Sequence, residues 1–169
     1  MNPLFASGLA LLTLAGCAAP HHHAGGSYAG QQSREIKALS DDEVRGYLAG
    51  AGMGFARTAE LNRYPGPMHV LEHAEALGLS PQQRAAFADL MARHKEEARV
   101  LGTEVVRLER ELEAQFAGRT ATAAGVDAKL AQIGAAQARV RGSHLKTHIE
   151  ATALLTPAQI ERYAQLRGY

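Results

Sequence analysis

The sequence predicts an all-α protein, built on a long antiparallel helical hairpin with short flanking helices. Three observations carry that prediction. Ala, Leu, Glu, Arg and Gln are abundant, whereas aromatics are 5% of the chain and β-branched runs are few. Two long stretches repeat apolar residues at three- and four-residue spacing. A helix-start signal at Leu79 recurs at Leu155. The chain has 169 residues, enough for one domain. Its 18 Lys and Arg against 17 Asp and Glu lack the electrostatic footprint of a nucleic-acid binder. One cysteine excludes an intrachain disulfide framework or a thiolate zinc finger.

The elements follow in order. Leu4 to Leu14 is an apolar run too short to span a bilayer but suited to the core of a signal peptide. It leads into Leu14-Ala15-Gly16-Cys17, which resembles the lipobox of bacterial lipoproteins. That resemblance implies removal of residues 1–16 and lipidation of Cys17. Ala18, rather than Asp, resembles the outer-membrane sorting pattern of Gram-negative lipoproteins, implying a periplasmic location with a lipid anchor in the membrane. Residues 17–38, with His21, His22 and His23 among Gly, Ser and Gln, read as a flexible stalk. The folded domain is expected over 39–169.

Ser40-Asp41-Asp42-Glu43 is a capping box that opens a short helix. Gly50 to Gly54 forms a joint, and Phe55 to Asn62 a further short helix. Tyr64-Pro65-Gly66-Pro67 is a turn, followed by a helix of about ten residues from Met68 to Leu77. Leu79-Ser80-Pro81-Gln82-Gln83 and Leu155-Thr156-Pro157-Ala158-Gln159 each place Ser or Thr at an N-cap, Pro at the first helical position and Gln at the third. Phe87 and Tyr163 stand four residues after each second Gln.

Between the two copies lie the long helices, about 81–117 and 126–154. The first carries a seam of Phe87, Met91, His94, Ala98, Leu101, Val105, Leu108 and Leu112. The second carries Val126, Leu130, Ile133, Gln137, Val140, His144, Thr147, Ala151 and Leu154. Both suit antiparallel packing over roughly 50 Å, joined through Gly118 to Gly125. Seams this narrow leave apolar surface uncovered, so a homodimer is expected.

Two Leu-Ser/Thr-x-x-Gln helix starts flanking a long hairpin in a short exported chain resemble the LTxxQ superfamily of periplasmic proteins. That superfamily includes the Spy and CpxP chaperone-like proteins, ZraP and the CnrX-type heavy-metal sensors. The resemblance covers about residues 68–167. It implies a helical hook that dimerises into a cradle.

Five histidines lie in this region. His69 and His73 precede the first motif, and His144 and His148 precede the second. Spacing of i, i+4 puts both imidazoles of a pair on one helix face, where they can share a divalent ion. Aligning the two long helices brings His144 level with Met91 and near His94, and the turn at Gly78-Leu79-Ser80 folds the first pair back beside them. The expected metal ligands are therefore His69, His73, His144, His148 and His94, with Glu72 and Met91 as additional candidates.

The sensor branch uses a similar set: a His-x-x-x-His pair, a long-helix carboxylate and a late His-x-x-x-Met pair. His69 and His73 match the first pair. His144 lies one turn further from its motif than the family's. His148 stands where that pattern has Met, which would favour Zn, Ni, Co or Cu(II) over Cu(I). Asp89 and Glu96 match the carboxylate imperfectly.

The function expected from these features is a lipid-anchored periplasmic protein that binds or senses a divalent transition metal and signals to a membrane sensor or regulatory partner. The alternative is a Spy/CpxP-like chaperone holding unfolded clients, with Arg84, Arg93, Arg99, Arg107 and Arg110 on its surface. No phosphate loop, nucleophile turn or paired acids point to an enzyme.

Overall fold

The computed structural model describes residues 27–169, so the expected signal peptide, Cys17 and His21 to His23 lie outside the described residues. The packed unit is Gln31–Tyr169. It contains six helices and, among the described residues, no strand: α1 (Asp41–Ala49), α2 (Arg57–Glu60), α3 (Pro67–Glu72), α4 (Pro81–Ala117), α5 (Ala123–Ala153) and α6 (Pro157–Arg167). None of the described helices is long and apolar enough to cross a membrane.

The helix starts follow the local chemistry. Ser40, Ser80 and Thr156 each accept a hydrogen bond from the third helical amide, while the side-chain oxygens of Glu43, Gln83 and Gln159 accept one from the cap N–H. At 1.5 Å per residue the 37 residues of α4 extend for about 55 Å. Contacts between α4 and α5 run in opposite order along the two helices. Glu111 pairs with Lys129 at 2.6 Å, His94 meets His144 at 3.0 Å, and Gln83 reaches the Leu154 carbonyl at 2.9 Å.

The two motif copies touch each other. Gln83 Nε2 donates to Gln159 Oε1 at 2.9 Å, and Gln159 Nε2 donates back to Gln83 Oε1 at 3.1 Å. Each amide also reaches across to a carbonyl beside the other copy, Gln83 to Leu154 and Gln159 to Leu77. The repeat is therefore a reciprocal clasp joining the start of α4 to the start of α6. Around it lies one apolar cluster, formed by Val70, Leu77, Leu79, Phe87, Leu90, Ala151 and Tyr163.

A second cluster gathers Ile36, Leu39, Tyr47, Val105, Val106, Leu108, Ile133 and Val140. Along both long helices the two clusters are separated by a polar layer: His94 on α4, with Ser143, His144 and Thr147 on α5, all buried. α1 crosses α4 at Gly102, where any Cβ would overlap the Tyr47 carbonyl.

Four features depart from the expectation. Packed structure begins before residue 39, because Ile36 is 2% exposed and Lys37 and Glu35 pair with Glu113 and Arg110. Leu130, assigned to the seam, is half exposed, and Ala136 faces the core instead. The helix expected over 68–77 ends at Glu72. Its continuation tightens into turns, with Ala74 and Gly78 bonding three residues back, which turns Ala74 and Leu77 into the apolar cluster. The second short helix is confined to the single turn Arg57–Glu60.

Candidate metal centre

A cavity of about 590 Å³ lies between the 49–57 loop, α3 and the polar layer of α4 and α5. Four of the five expected histidines line it: His69 from α3, His94 from α4, and His144 and His148 from α5. His73 does not. His73 is the C-cap of α3, with φ −100° and ψ 18°, and its amide still bonds the His69 carbonyl at 3.1 Å.

Hydrogen bonding determines which imidazole nitrogens are free. The Thr147 hydroxyl donates its only proton to the Ser143 carbonyl at 2.9 Å. Its oxygen can therefore only accept from His94 Nδ1, 3.0 Å away. With Nδ1 protonated, neutral His94 offers a bare Nε2, which must accept from His144 Nδ1 at 3.0 Å. This leaves a lone pair on His144 Nε2, and that atom is buried without a hydrogen-bond partner. Burial pushes the His94 ring below its ordinary range and the His144 ring to about 4, so both are neutral at pH 7.

The same orientation recurs in the other two. His148 Nδ1 donates to the Tyr64 carbonyl at 2.7 Å. His69 Nδ1 donates to the Glu72 carboxylate at 2.6 Å, which holds that carboxyl below its usual range. In each neutral ring Nε2 is left as the lone-pair atom. Gly66 leaves room for His148, since a Cβ there would stand 2.9 Å from its Cε1 and 3.1 Å from Nε2.

His69, His144 and His148 thus share the pattern of metal-binding histidines, in which one ring nitrogen is fixed by an acceptor and the other is presented. Imidazole nitrogens are donors suited to transition-metal ions, and among them His144 Nε2 is left buried without a partner. The three rings do not share one coordination sphere: among the described residues, no three His, Cys, Asp or Glu side chains are grouped closely enough to hold a metal ion.

The structure gives the remaining candidates other surroundings. His94 has both ring nitrogens engaged and acts as the acceptor that orients His144. Glu72 is the partner of His69. Met91 lines the cavity, half-buried. Asp89 faces a separate groove with Leu90, Arg93 and Glu150, and Glu96 pairs with Arg99 at 2.7 Å. Sequence reasoning missed Met53, Met68 and Glu60, which also line the cavity. No signal along the chain links them: the three methionines beyond Met1 come together only in the packed structure. No family model, curated protein or solved structure matches this chain.

Proposed function

We propose that this chain is a metal-binding protein that takes up a transition-metal ion in the cavity between α3, α4 and α5, through Nε2 of His69, His144 and His148. The observation that carries the reading is the buried, unpartnered Nε2 of His144, kept as a lone pair by the Thr147–His94–His144 chain. Imidazole is a donor suited to Zn, Ni, Co and Cu. The donors sit on different elements, so convergence on one ion draws α3 toward the long helices. That displacement couples occupancy to the surface formed by α1 to α3, where a regulatory partner or a second protomer would read it.

This reading keeps the proposed frame of an LTxxQ-type hook, dimeric and anchored in the periplasm by lipid on Cys17. Labelled palmitate incorporated by cells expressing the chain, and lost with Cys17→Ala, tests the anchor. A chaperone role is the second reading. It is supported by large apolar side chains exposed between residues 48 and 68, namely Leu48, Met53, Leu61, Tyr64 and Met68.

Calorimetric titration of the full chain with Zn(II), Ni(II), Co(II) and Cu(II), beside a His69→Ala/His148→Ala variant, tests the metal reading. The expected result is tight binding that the variant loses. Equal binding by both chains would remove the cavity from the account, and full suppression of client aggregation by that variant would then favour the chaperone.

A further inference from the structure

All three methionines beyond Met1 line the cavity that holds the free imidazole nitrogens. They arrive from separate elements: Met53 from the loop after α1, Met68 from α3 and Met91 from α4. Met68 is 48% exposed and fills no core position, and Met91 is half-buried. Met53 is 39% exposed and packs its thioether against α1, where a Cβ at Gly46 would stand 2.7 Å from its Sδ. A thioether is a soft, neutral donor that selects Cu(I) over the harder divalent ions.

The charge around the cavity points the same way. Arg57, Lys95 and Arg167 line it against one carboxylate, Glu60. Glu60 is itself engaged, accepting from Tyr163 and Tyr169 and lying 3.5 Å from Arg167. Repulsion from cationic walls is twice as large for a divalent ion as for a monovalent one at the same distance. A soft monovalent ion is satisfied by few donors, and by sulfur.

We propose that the cavity is a site for a soft monovalent cation, Cu(I) or Ag(I), held by the buried His144 Nε2 and the half-buried Met91 thioether, with Met68 and Met53 at the rim. The inference rests on the reading above that the cavity binds metal, and it changes which ion is bound. No electron transfer is involved: Cu(I) enters and leaves as Cu(I), and Ag(I) has the same filled shell.

The test is anaerobic competition for Cu(I) between the full chain and a chromophoric Cu(I) chelator, with Zn(II) measured in parallel. The comparison is with the Met53→Leu/Met68→Leu/Met91→Leu variant, which conserves volume and leaves His21 to His23 in place. Cu(I) affinity is expected to fall by tenfold or more in the variant, with Zn(II) binding unchanged. Equal Cu(I) affinity in both chains would overturn the soft-ion assignment while leaving a histidine metal site standing. Failure of the unmodified chain to bind either ion would remove both. Should the variant not fold, Ag(I) titrated into the unmodified chain with methionine methyls followed by NMR decides the matter. Shifts of the Met91 and Met68 methyls support the site, and unmoved methyls overturn it.

Discussion

His94 Nε2 lies 3.0 Å from His144 Nδ1, with the two rings edge to face at a centroid distance of 4.6 Å. This pair and Thr147 form the polar layer between the two apolar clusters, so its protonation bears on the whole fold. Unfolded, each histidine takes up a proton near pH 6.5; folded, His144 does so only near 4. Between those values the unfolded chain binds more protons, so stability falls as the pH drops through the window. His144 alone accounts for roughly 3 kcal/mol of that loss, complete at about pH 4. Denaturant unfolding of the metal-free protein at pH 7 and pH 4.5 should show it, and His144→Gln should flatten the profile. Parallel profiles for the two chains would refute the assignment.

Thr147 orients a nitrogen that it does not touch. Thr147→Val keeps the shape of the side chain but removes the closer of two hydroxyls at His94 Nδ1, leaving Ser143 Oγ at 3.4 Å, which can donate to Nδ1 and favour the other tautomer. The expected effects are a stability loss of about 1–3 kcal/mol and a metal affinity lower by about 10–100-fold. Thr147→Ser should restore most of both. Calorimetry on the three chains checks this, and an affinity that follows only the stability of each variant would contradict an orienting role.

The Gln83–Gln159 clasp predicts strong coupling. Each single change to Ala strips partners from a half-buried amide and a backbone carbonyl, at a cost of about 1–3 kcal/mol. The double variant should cost less than the sum of the singles, by at least about 0.5 kcal/mol. Additive costs in a denaturant double-mutant cycle would mean that the two caps act separately.

Two glycines in long helices should respond in opposite directions. Gly102→Ala drives a methyl into the Tyr47 carbonyl and should destabilise by about 1–3 kcal/mol as α1 is pushed from α4. Gly134→Ala on α5 meets nothing within 4 Å and should stabilise by up to about 1 kcal/mol through helix propensity. Thermal melts of both chains measure the contrast, and a neutral Gly102→Ala would show that α1 does not lie against α4 there.

Much of the fold was legible because the signals are local. The Ser40, Ser80 and Thr156 caps lie within four residues of the groups that they satisfy, and the apolar stripe of α4 follows from the helical repeat alone. The end of α3 was not legible. Nothing between Met68 and Leu77 breaks a helix; the turns there answer to the burial of Ala74 and Leu77 against Phe87 and Tyr163. Leu130 misled for the opposite reason, since a seam residue is buried only where a partner helix covers it.

For the candidate site, the sequence by itself determined the residue types and their helical spacing, and with them the expectation that histidines gather near the two motifs. It could not separate His73 from His69, because which of them lines the cavity depends on how α3 packs. Nor could it distinguish His94, an acceptor with both nitrogens engaged, from His144, whose Nε2 has no partner. Those distinctions belong to tertiary structure, since a histidine's free nitrogen depends on which acceptor its other nitrogen meets. Here the acceptors are Thr147 and Tyr64, 53 and 84 residues from the rings that they bond. The gathering of Met53, Met68 and Met91 is likewise a property of the packed helices, because no pattern along the chain links them.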